Sequence, residues 1–197
     1  MTETILPAGD DELPAVAETL TQAFQTDPAL SWILPDASHR ARALRSLFRT
    51  LIPADMRAGL ALRAAGDEAA ALWRAPGKAH SGGLEFLRTV VPLVATFGLA
   101  LRRGLSVQGS IDAHRPKGSF WYLHYVGVRP AHQGKGHGGR IIRAQTAVAD
   151  AEAMPCWLET ATSENVPLYE RLGFVTQAEW DIAGGGPHFW GMMRPPG

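Results

Sequence analysis

The glycine-rich segment Gly134–Gly139 is the part of this 197-residue chain whose residue types point most directly to chemistry. It follows a β-rich apolar run, Phe120–Val128, and leads into a segment with helical spacing, Gly138–Ala153. Glycine lets the backbone adopt positive φ and lets bare amides approach an anion closely. The N-terminus of the following helix adds about half a positive charge. The segment therefore predicts a loop that binds a phosphate or pyrophosphate.

One interpretation of this loop is a dinucleotide site. Gly134, Gly136 and Gly139 satisfy G-x-G-x-x-G, and Glu159 follows twenty residues further on. The context argues against it, because five residues, 129–133, separate the strand from the first glycine, where that fingerprint needs a tight turn. Only 58 residues follow Gly139, too few for the remaining strands of a doubly wound fold.

The same loop also fits a second pattern. Gln133, Gly136 and Gly138 satisfy Q-x-x-G-x-G, directly after a predicted strand. This combination resembles the acetyl-CoA pyrophosphate loop of the GCN5-related N-acetyltransferases, the GNAT family. The resemblance implies acetyl-CoA as co-substrate. The residues that it places at the co-substrate are Val126, Gly127, Val128, Gln133, Gly134, Lys135, Gly136, His137, Gly138, Gly139 and Asn165.

A second segment supports the resemblance. Asn165 followed by Leu168–Phe174 is similar to the closing motif of the family, and Tyr169 stands at the position of its catalytic tyrosine. The run Trp121–Phe174 and the tail Gly185–Arg194 are similar to the puromycin N-acetyltransferases and their relatives. The resemblance is weaker over the first 75 residues, and almost none is recognisable from there to the predicted strand at Phe120.

The implied reaction is direct acetyl transfer from acetyl-CoA to an amine. The Tyr169 hydroxyl is the candidate that protonates the departing thiolate. Exposed amides of Val126–Val128 are candidates for holding the oxyanion that develops during transfer. Asn165, the only Asn in the chain, is predicted to reach the pantetheine arm, to begin a helix, or to do both.

The base that deprotonates the amine has two candidates. Strand alternation predicts that Tyr122, His124, Val126 and Val128 share one face, and an imidazole with a pKa near ~6.5 suits the role. His124 also stands where arylalkylamine N-acetyltransferases of this family carry a catalytic His. Glu159 is the rival, because its Leu-Glu-Thr setting matches the puromycin-type enzymes. A water relay or Tyr122 remains a further alternative.

The elements that must position these residues predict an α+β fold, a mixed α/β sandwich. The GNAT resemblance implies a central mixed, mostly antiparallel sheet, splayed at the acetyl-CoA site and flanked by helices. We expect one domain, 1–197, with a helical insertion at about 76–118. Predicted helices cover Asp10–Phe24, Ser38–Ile52, Leu84–Arg103, Gly138–Ala153 and Glu164–Leu172, and Gly104–Gly118 is predicted as a polar loop. Predicted strands cover Thr4–Leu6, Gly59–Ala65, Glu68–Arg74, Phe120–Val128, Cys156–Thr160, Phe174–Ile182 and His188–Met193.

Composition limits the partners. Because 19 Lys and Arg oppose 19 Asp and Glu, the net field that attracts nucleic acids is missing. The longest uncharged stretch, Thr89–Leu101, is short of the ~20 residues that cross a bilayer. The single Cys156 excludes a disulfide framework, and no His spacing fits a metal site. We expect a cytoplasmic bacterial enzyme without metal, nucleic-acid or membrane partners, and a homodimer whose candidate interface is the Leu84–Arg103 helix.

The function predicted from the sequence is N-acetylation of a primary amine on a small molecule, antibiotic-like or of the arylalkylamine type. Two alternatives stay open: acetylation of a protein or peptide amine, and a non-catalytic module that binds acyl-CoA. Specificity for the acceptor is expected in Ala29–Ile52 and Ala75–Ser119, where the resemblance is weakest.

Overall fold

The computed structural model describes residues 4–80 and 82–197, and leaves aside the side chains of residues 84–86. Over these residues the strands are β1 (Ile5–Pro7), β2 (Gly59–Ala64), β3 (Ala69–Arg74), β4 (Trp121–Val128), β5 (Cys156–Thr160), β6 (Val175–Asp181) and β7 (His188–Arg194). They form one sheet in the order β1-β2-β3-β4-β5-β7-β6. All neighbours are antiparallel except β4 and β5. The predicted α+β class with a mixed, mostly antiparallel sheet is confirmed.

The helices pack on the sheet through two apolar clusters. They are α1 (Leu13–Ala23), α2 (Pro28–Ile33), α3 (Ala37–Ala58), α4 (Gly83–Phe97), α5 (Leu101–His114), α6 (His137–Ala151) and α7 (Val166–Glu170). One cluster joins Leu20 of α1 to Leu44 and Phe48 of α3. The other joins Ile141 and Ile142 of α6 to β3 and β5. Burying such side chains contributes roughly 1.5–3 kcal/mol each, which fixes the helices on the sheet.

Helix α3 is longer than its sequence predicts. The expected end at Ile52 is wrong, because the helix continues through Pro53 to Ala58. An interior proline costs about 3 kcal/mol through its missing N–H and its steric clash. The last turns nevertheless bury Ile52, Ala54 and Ala58, and this burial opposes the cost. The extension carries Asp55 into the interior, where its side chain has no solvent exposure.

The predicted loop Gly104–Gly118 is wrong over most of its length, because α5 continues to His114. Gly104 and Gly109 each weaken a helix by about 1 kcal/mol relative to Ala. The helix forms because Leu101, Val107 and Ile111 lie on one face and pack into the core. Tertiary packing therefore overrides the weak local propensity.

Helix α4 presents apolar side chains to solvent. Leu87, Val91 and Val94 are more than half exposed, and Leu99 follows at 88%. By length and composition alone, Leu87–His114 is long and apolar enough to span a membrane once. Of its apolar 18-residue stretch, 17% is buried inside the protein. The backbone turns at Gly98, where φ is +51°, and α5 beyond it packs on the protein core. Length and composition therefore establish no membrane contact here, and the homodimer through this region stays a prediction.

Asp150, near the end of α6, ties that helix to β7. Arg194 donates to both carboxylate oxygens at 2.6 and 2.8 Å, and the Gly197 N–H donates to Oδ1 at 2.7 Å. The hydrogen bonds from Arg194 and Gly197 lower the pKa of Asp150 to about 2. A carboxyl group with a depressed pKa stabilises the folded state above its unfolded pKa, and this contribution is lost as the pH falls towards 2.

We expect Asp150→Asn to lower the free energy of unfolding by about 1 kcal/mol at neutral pH, a value kept small by solvent screening of this partly exposed pair. The difference between variant and parent should shrink between pH 4 and pH 2. Urea unfolding across this range measures it. A difference that stays constant down to pH 2.5 would contradict the assignment.

Candidate active site

The predicted anion loop lies between β4 and α6. Gly134 and Gly136 have φ of +75° and +82°, so both positions favour glycine. Gly136 is the residue before α6, and no side chain caps the helix. The first amides of α6 are therefore available to an anion, as at other helix N-termini that bind phosphate. Within the loop, Gln133 Nε2 donates to the Val128 carbonyl at 3.2 Å, and Lys135 Nζ donates to the Ala131 carbonyl at 3.0 Å.

The glycines at the start of α6 face the end of β4 and α7. A Cβ on Gly138 would lie 3.5 Å from Val128 Cγ2, and one on Gly139 would lie 3.7 Å from Leu168 Cδ1. These contacts bring the helix N-terminus against the end of β4 and against α7. His137, the first residue of α6, lies with its ring edge-on to His132, with 5.8 Å between ring centroids. Gln133–Gly136 thus form an exposed turn, and His137, Gly138 and Gly139 form the first turn of α6.

Gly136→Ala tests this loop. A positive φ costs a residue with a Cβ about 1–2 kcal/mol, and the new Cβ would lie 2.9 Å from the Arg140 guanidinium. We expect the KM for acetyl-CoA to rise about tenfold with kcat nearly unchanged, because 1.4 kcal/mol is a factor of ten in affinity. Gly184→Ala is the control, since Gly184 has φ of +81° in the β6–β7 turn. Equal KM values in the two variants would contradict a role for the loop in binding acetyl-CoA.

The sheet opens between β4 and β5. The two strands pair only from Trp121 to Leu123 on β4 and from Cys156 to Leu158 on β5. Beyond these pairs the β5-facing edge of β4 is free, and a cavity of about 350 Å³ lies between the separated strands. The cavity brings together four residues that the sequence singled out: His124, Glu159, Asn165 and Tyr169.

The free edge of β4 connects the cavity to the anion loop. Val126 lines the cavity, whereas Gly127 lies against α1, where a Cβ would come 2.6 Å from Ala23. Val128 lies four residues after His124 along the strand, a distance of roughly 13 Å. An extended chain attached to a phosphate in the loop can therefore follow this edge into the cavity.

A β-bulge interrupts β4 at His124. Leu72 of β3 pairs with Tyr125, and the adjacent Trp73 pairs with Leu123, so no residue of β3 pairs with His124. The predicted alternation is therefore wrong beyond this point. Val126 and Val128 pack in the same cluster as Trp121 and Leu123, on the face opposite Tyr122. A bulge adds one residue to a strand and re-aims the side chains that follow it.

His124 contacts the buried carboxylate of Asp55, a residue that belongs to none of the sequence motifs. Its Nδ1 lies 2.9 Å from Asp55 Oδ1 and 3.0 Å from Oδ2. Arg74 donates from Nε to Asp55 Oδ1. Burial opposes ionisation of Asp55, but His124 and Arg74 together outweigh it and hold the pKa of this carboxyl below its usual value. The signal in the sequence was Asp55 itself, the lone acid in the Arg-rich stretch Arg40–Arg63.

Glu159, the rival base, is held by several donors. Trp157 donates from Nε1 to Oε1, and the Arg115 guanidinium lies 3.5 Å from the same oxygen. The Tyr122 hydroxyl also hydrogen-bonds to this carboxylate and accepts from Arg115 at 3.1 Å. Burial raises the pKa of Glu159, and Arg115, Trp157 and Tyr122 oppose that rise. Glu159 is thus a buried carboxyl group whose oxygens are shared among three neighbours.

Tyr169 and Asn165 line the cavity from the α7 side. The Tyr169 ring packs edge-on against Phe174, with 6.0 Å between centroids. Burial, followed by the nearby Asp27 carboxylate, raises the pKa of this tyrosine well above 10. Asn165 is the residue before α7, but its side chain makes no capping hydrogen bond. Both side chains therefore keep polar groups for a ligand in the cavity.

Helices α4 and α5 form the roof of the cavity. Their lining side chains are mainly apolar: Val90, Leu93, Phe97, Leu101, Leu105, Val107 and Ile111. Arg115, directly after α5, fastens this roof to the sheet through Tyr122 and Glu159, and its guanidinium lies 4.5 Å from the Tyr122 ring centroid. Among residues 4–80 and 82–197, no group of three or more His, Cys, Asp or Glu is arranged to hold a metal ion.

Comparison with known proteins agrees with this geometry. Residues 95–176 match the family model of the acetyltransferase (GNAT) domain. An uncharacterized N-acetyltransferase of Schizosaccharomyces pombe is 27% identical over 173 residues, which cover 82% of this chain and 70% of the yeast protein.

Solved structures show the same fold. A structure from Corynebacterium glutamicum, described as histone acetyltransferase HPA2 and related acetyltransferase, is 27% identical with a TM-score of 0.77, and the match covers 100% of this chain and 98% of that one. Arylalkylamine N-acetyltransferase 2 from Aedes aegypti has a TM-score of 0.62 at 12% identity, with full coverage of both chains. The chain thus has the GNAT fold, contains a GNAT acetyltransferase domain and is an N-acetyltransferase.

Proposed function

We propose that this N-acetyltransferase moves an acetyl group from acetyl-CoA to a primary amine on a small molecule with an apolar body, such as an arylalkylamine or an antibiotic-like amine. The observation that carries the proposal is the cavity between β4 and β5, which has His124 and Tyr169 in its wall and an apolar roof. The similarity of the motifs to puromycin N-acetyltransferases supports the antibiotic-like acceptor and remains a prediction.

The position of the loop supports binding of acetyl-CoA. The amides of Gln133–Gly139 and the N-terminus of α6 suit the pyrophosphate. The free edge of β4 suits the pantetheine arm, because its backbone groups lack strand partners there. Asn165 lines the cavity to which this edge leads, on the α7 side. This arrangement brings the thioester into the cavity that contains His124 and Tyr169.

The proton transfers then use residues in the cavity wall. His124 accepts one proton from the acceptor ammonium, and the freed amine lone pair forms the new C–N bond at the thioester carbonyl. Amides on the free edge of β4 stabilise the oxyanion. As the C–S bond breaks, the Tyr169 hydroxyl protonates the sulfur. The nitrogen then loses a second proton, which returns to the Tyr169 oxygen. His124 returns its proton to solvent, so each turnover releases one proton.

The roof favours a small acceptor over a peptide. Helices α4 and α5 cover the cavity, and Arg115 fixes them to Tyr122 and Glu159. An extended peptide has to enter and leave a site, which requires an open groove. The apolar lining and the buried carboxyl group of Glu159 together suit an amine on an apolar body.

The test is release of free thiol from acetyl-CoA over a panel of acceptors. The panel contains an arylalkylamine, a linear alkylamine, an aminonucleoside and a lysine-containing peptide. We expect kcat/KM for the arylalkylamine or the aminonucleoside to exceed that of the peptide by at least tenfold, because burying an aromatic ring contributes roughly 2–3 kcal/mol. A preference for the peptide would indicate protein acetylation. Calorimetric binding of acetyl-CoA without turnover of any amine would indicate a non-catalytic module.

A further inference from the structure

We propose that Asp55 is a positioning residue for His124: it holds the imidazole with its proton on Nδ1, so that Nε2 presents a lone pair to the acceptor amine. This inference rests on the proposed function, in which His124 is the base. Nothing in the sequence motifs assigns a role to Asp55, which lies 69 residues before His124 on α3.

The contact geometry determines which nitrogen carries the proton. Both Asp55 oxygens lie within 3.0 Å of His124 Nδ1. An ionised carboxylate only accepts hydrogen bonds, so Nδ1 has to be the donor. In the neutral ring the lone pair is then on Nε2, and the hydrogen bond made by the other nitrogen fixes the tautomer.

The surroundings keep Asp55 ionised. Its side chain is fully buried, yet two cationic or proton-donating groups face it: Arg74 from β3 and His124 from β4. The Tyr125 hydroxyl is also close enough for the Asp55 charge to raise its pKa, after the larger effect of burial. An anion in this place stabilises the imidazolium that forms when His124 accepts the proton, as the aspartate does in hydrolase triads.

Stability alone does not account for this pair. A buried ion pair contributes little net stability compared with well-packed apolar residues of similar size. The Asp55 carboxylate also reaches two partners on neighbouring strands, and one of them is the residue that the bulge displaces from regular pairing. Bulges occur next to active sites, where they aim a side chain. The bulge and the carboxylate therefore act on the same ring.

The first test measures the tautomer directly in the unmodified enzyme. Nitrogen-15 correlation spectra of histidine-labelled protein, with His124 assigned through His124→Gln, should show Nδ1–H and an unprotonated Nε2 at a pH where the ring is neutral. A ring protonated on Nε2 would overturn the proposal. This readout needs no acceptor, so the positioning role and the proposed function can fail independently.

The second test is Asp55→Asn. We expect kcat to fall by about 10²-fold or more while KM values change less than threefold, since catalysis depends on the orienting acid. The titratable groups around His124 are Asp55 from α3, Glu159 from β5, and Tyr122 and Tyr125 from its own strand.

Asp150→Asn is the matched control, because it breaks a carboxylate–Arg pair outside the cavity. It should leave both kcat and the KM values unchanged. If Asp55→Asn keeps kcat within twofold of the parent enzyme, the proposal is wrong. If that variant does not fold, Asp55→Glu keeps the charge, and the tautomer measurement in the parent enzyme still decides the outcome.

Discussion

Replacing His124 with Gln is expected to lower kcat by a factor of about 10²–10⁴, the largest effect that we predict for any single substitution. Gln keeps the size and polarity of the side chain but cannot accept a proton at neutral pH. The loss should be smaller at high pH, because more of the acceptor amine is then already deprotonated. Steady-state thiol release from pH 6 to pH 10 measures both effects.

His188→Gln is the matched control for this experiment. His188 also has a carboxylate partner, with Nδ1 3.0 Å from Asp181 Oδ1, but it lies on the β6–β7 hairpin. Its replacement should leave kcat within twofold. If Glu159→Gln lowers kcat strongly and His124→Gln does not, the base is Glu159 and our assignment is wrong.

Tyr169→Phe is expected to lower kcat by about 10²-fold with the KM for acetyl-CoA nearly unchanged, because a positioned general acid contributes at least that factor. The Phe ring keeps the edge-on contact with Phe174, so the melting temperature should change little. The raised pKa of Tyr169 keeps its hydroxyl protonated up to and beyond pH 10. The parent enzyme should therefore show no loss of kcat from tyrosine ionisation below pH 10.

Rapid-quench measurement of the first turnover separates this chemical effect from product release. If Tyr169→Phe retains at least half of the parent rate in the first turnover, the sulfur takes its proton from another source. Tyr169→Ala would then show whether the ring alone matters, since that variant also removes the packing against Phe174.

The anion loop could be predicted from the sequence because the backbone there needs particular residues. Positive φ at Gly134 and Gly136 favours glycine, so this backbone geometry is visible in the residue types. The strand before the loop and the helix after it have clear periodicities of their own. These local requirements also gave the correct α+β class.

The surroundings of His124 could not be predicted in the same way. Asp55 reaches the ring only because α3 continues past Pro53, and the packing of Ala54 and Ala58 opposes the cost of that proline. The bulge at His124 depends on pairing with β3, which no local pattern in β4 records. The helical form of α5 likewise depends on packing, because its glycines favour a loop. Where tertiary contacts decided the outcome, local sequence patterns were insufficient.

The bulge also means that the face on which each β4 side chain lies depends on the number of residues in the strand. One additional residue at His124 shifts everything downstream by one position, so Val126 and Val128 return to the face of Trp121 and Leu123. Substituting His124 changes one group and leaves this count intact. Deleting it would exchange the inward and outward sides of the rest of the strand. The number of residues between β3 and the anion loop therefore determines which side chains of β4 face the cavity.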